Sequence, residues 1–184
     1  MKRDNLQVVP YHRKKSGKTN YKKRLRLLLS EKLRLIIRRS NKNVLGQIVQ
    51  YHPDGDKVLL TTTSQELTKL GWNYSRKNLP ASYLTGLLLG KKAQEKKVKE
   101  AILDLGLQTS IGGGRLYAFL KGVIEGGVQV PHNEKILPSG DRLNGQHITQ
   151  YVGKAQGNQF AQYKKQNQSI DKTFTEIKQK IVGK

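Results

Sequence analysis

KLRLIIRRSNKNVLGQIVQYHPDG, residues 32–55, decides how this chain folds. Leu33, Leu35 and Ile37 alternate with Arg34, Ile36 and Arg38, the period of two that a half-buried strand requires. The spacing therefore predicts a strand over Leu33–Arg39, and VLGQIVQY from Val44 predicts a second. Between them lies a basic, polar turn, Ser40-Asn41-Lys42-Asn43, entered through Arg38 and Arg39. Asn is at ease in turns, so a solvated hairpin tip is one reading. The other is a gripping surface. Arg and Lys suit phosphate oxygens, and Ser and Asn reach sugar hydroxyls and base edges. Farther on, HPDGD places Asp54-Gly55 at a second tip, a hairpin signal, and KVLLTTT from Lys57 is a third strand. Three strands joined by short turns make an antiparallel meander.

After Thr63 the period changes. Ser64 can cap a short helix carrying Leu67 and Leu70, closed by Gly71. Pro80 opens a long helix reaching Lys97, with Leu84, Leu87, Leu88 and Lys91 at helical spacing. Gly86 and Gly90, four apart, would let that helix pack closely on the sheet. EAILDLG from Glu100 predicts a short buried strand. Arg115–Glu125 predicts a helix with Leu116, Phe119, Leu120 and Val123 inward, and VQVP a last brief strand. Strands first, then helix, strand, helix, strand, point to an α/β fold: a three-layer mixed sheet with helices on both faces.

The ends differ in character. Residues 1–20 are basic and aperiodic, and read as an extended arm. Thr19 or Asn20 can cap a helix through Ser30, with Leu25, Leu28 and Leu29 on one face. One helix is expected over Gly140–Lys154, then a Gln-rich linker. Ile170, Phe174, Ile177 and Ile181 then draw one apolar stripe on a C-terminal helical tail. The expected organisation is arm 1–20, α/β body 21–155, and linker with amphipathic helix 156–184.

Of the 184 residues, 35 are Lys or Arg and 13 Asp or Glu, a net charge of +22. Residues 1–42 hold 15 of the cations and two acids, Asp4 and Glu31, so the excess gathers in the arm and the elements beside it. Such an excess opposes compaction unless a polyanion neutralises it, which points first to nucleic acid and second to an anionic membrane surface. A membrane-surface role lacks the basic amphipathic helix with a long apolar face that it needs. The chain has no cysteine, which removes disulfides, thiolate zinc sites and thiol catalysis. No apolar run approaches the roughly 18 residues that span a bilayer, and the N-terminus lacks the apolar stretch of a signal peptide. A cytoplasmic protein is expected.

The candidate RNA contacts follow from this distribution. On the arm they are Arg13, Lys14, Lys15 and Lys18, continuing through Tyr21, Lys22, Arg24 and Arg26. At the hairpin they are Arg38, Arg39, Ser40, Asn41, Lys42 and Asn43, with Gln47 on the next strand. Arg76 and Arg115 complete the set, Arg115 standing after three glycines whose backbone N–H groups can approach a phosphate. That loop is not a nucleotide-hydrolysing P-loop, because no Lys-Ser/Thr pair follows the glycines. The four histidines are scattered without metal-ligand spacing, and no carboxylate pair is set for two-metal or acid–base work. Neither cofactor, metal nor catalytic group is expected.

Five stretches in register, TNYKKRLRLLLS, RRSNKNVLGQIV, LGWNYSRKNLPASYLTGLLLGKKAQ, AILDLGL and GGVQVPHNEKILP, resemble one family over residues 10–155. It is the 5S rRNA-binding large-subunit ribosomal protein, universal protein eighteen, in its archaeal form. The resemblance implies an α/β layout like that of ribonuclease H. It also implies a structural role in which the protein binds 5S rRNA and anchors it to the large rRNA in the central protuberance, beside neighbouring ribosomal proteins. The family's Ser-Asn-Lys-His turn reads here Ser40, Asn41, Lys42, Asn43, with an amide in place of the imidazole. The rival reading is an RNA-processing enzyme on the same layout. Such enzymes start their metal-binding acids on the first strand, and this first strand carries Arg34, Arg38 and Arg39 and no acid.

Overall fold

The computed structural model describes residues 9–156, 160–164 and 169–183. In chain order the elements are α1 (His12–Lys15), α2 (Tyr21–Leu28), β1 (Arg34–Arg39), β2 (Val44–Gln50), β3 (Lys57–Thr63), α3 (Glu66–Lys69) and α4 (Leu79–Glu95). They continue with β4 (Ile102–Asp104), α5 (Arg115–Glu125), α6 (Gly140–Asn144), α7 (Gln146–Lys154), α8 (Ala161–Lys164) and α9 (Ile170–Val182). The four strands lie in the order β3-β2-β1-β4. β1, β2 and β3 are the antiparallel meander, and β4 runs parallel to β1, which makes the sheet mixed.

Register follows from the apolar alternation. Arg39 pairs with Val44, Ile37 with Gly46 and Leu35 with Ile48, so one face carries Leu35, Ile37, Val44 and Ile48, all buried. This face meets α5 and α4 in the main core, joined by Phe119, Leu120, Val123 and Leu89. Gly46 is a packing position: a side chain there would enter the Phe119 ring. A fully buried side chain of this size contributes about 1.5–3 kcal/mol. The opposite face carries Arg34, Ile36, Arg38, Gln47 and Asp104 and is covered by α2 at one corner.

α4 starts on Asn78, whose side-chain oxygen accepts the Ala81 N–H at 2.9 Å. Twelve of its 17 residues are buried, because it is covered on both sides, as a helix apolar all round must be. Gly86 and Gly90 face α5, not the sheet. A Cβ on Gly86 would strike the Phe119 backbone, and Gly90 and Gly126 face each other with 2.7 Å between a built Cβ and the opposite Cα. The four-residue spacing does mark a close approach, but one helix to another.

Beyond α4 a second core holds Trp72, Tyr83, Leu84 and Leu143 together with Ile170, Phe174, Ile177 and Ile181. The C-terminal stripe thus docks on the chain's own α4. Tyr83 donates to Glu125, which also accepts from Lys178 at 3.2 Å. Burial, then that carboxylate, push the Tyr83 hydroxyl far above its ordinary range.

Several local expectations are corrected. The Gly140–Lys154 helix is two, broken at Gly145, whose φ of +83° belongs to the left-handed region that ends helices. VQVP makes only an isolated bridge, Glu100 to Gln129. The first helix ends at Leu28, two residues short of the expected Ser30. Ser64 does not cap α3, because its hydroxyl is used elsewhere. Much of the Gln-rich linker lies outside the described residues.

Candidate nucleic-acid interface

The β1–β2 turn is built from its own polar side chains. The Ser40 N–H donates to the Asn43 carbonyl at 2.8 Å, and the Ser40 hydroxyl both accepts the Asn43 N–H and donates to the Asn43 carbonyl, each at 3.0 Å. Ser64 locks the base: its oxygen accepts the Val44 N–H at 3.1 Å and its hydroxyl donates to Asn43 Oδ1 at 3.4 Å. Ser40 and Asn43 therefore close the turn. Asn41 and Lys42 stand fully outward at its tip. The amide at position 43 has an inward partner in Ser64.

The covered corner of the sheet rests on one ionic network. Arg34 is buried, 1% exposed. It donates to Asp104 at 3.1 Å and pairs with Asp56 at 2.6 Å. Asp56, from the β2–β3 turn, also receives both arms of Arg24 from α2, each at 3.0 Å. Burial works to raise the Asp56 carboxyl, but the hydrogen bonds and charges of Arg24 and Arg34 outweigh it and hold the group below the usual carboxylate range. The two acids on this face are thus neutralised by arginine. Lys23 adds a bond to the Gly106 carbonyl at 3.2 Å, so α2 is fixed to the sheet.

Arg38 and Arg39, adjacent on β1, point to opposite faces and join two basic clusters. Arg38 donates to the Asp104 carbonyl at 3.3 Å and lines a cleft of about 110 Å³ with Arg13, Lys18, Lys23 and Arg24. Arg39, held through its backbone N–H on Gln108 at 3.1 Å, lines a second cavity of about 180 Å³ with Arg115 and Arg142. Guanidinium groups converging in a cleft can take phosphate oxygens in pairs.

The other expected contacts fall around this end. Lys14, Lys15, Lys18, Lys22 and Arg26 are exposed. Tyr21 packs against Tyr11 at a tilt of 45°, ring centres 5.0 Å apart, beside an open hollow that Lys14 and Leu107 also line. Gln47 donates to Thr61 at 3.2 Å on the open sheet face. Arg115 donates to the Lys77 carbonyl at 3.2 Å, in the loop where Arg76 is half-buried. Arg24 is at the interface, but its guanidinium is turned to Asp56. Trp72 is core, donating to the Ser75 carbonyl at 3.1 Å. Sequence reasoning left out Lys23 and Arg142. Lys23 stands in the same basic run as Lys22 and Arg24, and charge density alone could have included it; nothing local marks Arg142, which only the tertiary fold brings in.

A sheet that presents arginines at the end of its first strand, with its acids neutralised from within, defines a basic binding protein. Residues 5–100 match the family described as ribosomal large subunit proteins 60S L5 and 50S L18. The chain is 42% identical over 184 residues to large ribosomal subunit protein uL18 of Methanococcus maripaludis, covering 95% of each chain. It is 46% identical over 154 residues to the uL18 of Korarchaeum cryptofilum, covering 84% of this chain and 79% of that one. The chain belongs to the uL18 family of large-subunit ribosomal proteins, in its archaeal form. Its role is structural, which sets aside the processing enzyme. No helix among the described residues is long and apolar enough to cross a membrane.

Proposed function

We propose that this constituent of the large ribosomal subunit binds 5S rRNA and fastens it to the large rRNA in the central protuberance, beside neighbouring ribosomal proteins. The observation that carries the reading is the divergence of Arg38 and Arg39 from one strand end into two basic clefts, at the start of a turn whose Asn41 and Lys42 are exposed. A protein holding one RNA against another needs cationic surfaces on more than one side of a rigid element. Phosphate neutralisation with counterion release supplies the affinity; the fit of a preformed tip to folded RNA supplies the selectivity. The basic stretch ahead of α2 adds charge, and its Arg13 and Lys18 line the same cleft as Arg38.

Crosslinking the protein in cell extract and sequencing the attached RNA tests this. The expected result is 5S rRNA enriched above its share of total rRNA, with crosslinked peptides from residues 11–26 and 38–43. Enrichment of other RNA without 5S would overturn it.

A further inference from the structure

We propose that Arg39, Arg115 and Arg142 form a pocket for a single backbone phosphate of the bound RNA, a reading that rests on the protein being an rRNA binder. The three arginines come from β1, α5 and α6 and line one cavity of about 180 Å³. No carboxylate lines it, and none of the three guanidiniums has an ion pair among the described residues. Arg115 makes one bond, to a neutral carbonyl. Three like charges drawn together without a counterion repel one another, and a bound anion reverses the sign of that interaction. The contrast with Arg24 and Arg34 is direct, since those arginines are matched to Asp56 and Asp104.

The rest of the lining narrows the ligand. Thr109 offers a hydroxyl, while Leu79 and Ile111 give an apolar wall. A small inorganic anion gains nothing from that wall; a phosphodiester has a ribose to lay against it. The Gly113 φ of +65° bends the adjoining loop, and α5 begins at Arg115 after Gly114, which offers no side-chain cap to the helix's first N–H groups. These groups add to the arginines and would not define a site without them.

The test uses the full chain, 5S rRNA and an exposed residue. Arg142 is exposed on α6, so Arg142→Gln leaves the core intact. Lys99→Gln, exposed before β4 at the other end of β1 from Arg39, is a control of equal charge change. Arg142→Gln is expected to weaken 5S rRNA binding about tenfold at moderate salt, and to make the slope of log affinity on log salt shallower by roughly 0.7–0.9. Arg142→Lys falls between, keeping the charge and losing the fork. 5S rRNA, but not inorganic phosphate at matched phosphate concentration, slows amide exchange over residues 112–116. Wild-type affinity and slope in Arg142→Gln would overturn the pocket while leaving the RNA reading intact, as would an equal loss in Lys99→Gln. Protection by inorganic phosphate but not by RNA would assign the cavity to a free anion and overturn it likewise. Absence of 5S binding by the wild-type protein would defeat both readings.

Discussion

Arg24 on α2 and Asp56 in the β2–β3 turn face each other through two parallel hydrogen bonds, both 3.0 Å. The helix α2 is thereby coupled to the sheet. Arg34, buried beneath, shares the same carboxylate at 2.6 Å, so one acid serves a half-buried arginine and a fully buried one. An exposed pair alone contributes little; a buried arginine that loses its partner is costly.

Asp56→Asn is accordingly expected to destabilise the fold by about 2–4 kcal/mol, measured by urea denaturation. It should also release α2, seen as faster amide exchange over residues 21–28. A loss confined to a few tenths of a kcal/mol, with α2 still protected, would show that Arg34 is held by Asp104 alone.

Acid should act through the same group. The folded Asp56 carboxyl lies below its ordinary 3.8. Its contribution is therefore complete above that value and is lost as pH falls through the lower, folded one. Wild-type stability is expected to drop more steeply below about pH 4 than that of Asp56→Asn. Parallel acid profiles for the two proteins would contradict the linkage.

Gly86→Ala tests the contact between α4 and α5. The added methyl meets the backbone of Phe119, which cannot rotate away as a side chain can. A cost of about 2–3 kcal/mol is expected, against the slight gain that Gly to Ala gives in an open helix. Thermal denaturation decides, and a variant as stable as wild type would mean the helices can part freely.

Ser40→Ala removes the hydroxyl that closes the hairpin and none of the outward groups. The expected cost is about 1 kcal/mol, with weaker 5S rRNA binding although Asn41 and Lys42 are intact. Both are read by denaturation and a binding isotherm. Loss of stability with unchanged affinity would show that the tip does not need to be preformed.

Much of this was legible in the sequence for a physical reason. Alternation in Leu33–Arg39 and Val44–Gln50 encodes which face is buried, and the Ile170–Ile181 stripe encodes a helix that must dock. Both are local periods. What the sequence does not carry is pairing at a distance. Asp56 reads as a turn residue and Asp104 as a strand residue until β4 lies beside β1 and brings Arg34 between them. Gly86 announces a close approach but not to what. Ser64 has the chemistry of a cap, and only the fold reveals that the Val44 N–H and Asn43 take it instead. At the candidate interface the charge density of residues 1–42 located the basic end. The turn of Arg24 toward Asp56, and the arrival of Arg142 from a polar stretch a hundred residues farther on, depend on tertiary structure.

The central claim is that the end of β1 and its hairpin grip 5S rRNA. Its most direct test is the salt dependence of 5S rRNA binding by the full chain and by Arg38→Gln/Arg39→Gln/Lys42→Gln, with folding checked by circular dichroism. Removing three phosphate contacts is predicted to lower affinity at least a hundredfold and to make the log–log salt slope shallower by about 2–3. A folded triple variant with wild-type affinity and slope would contradict the account.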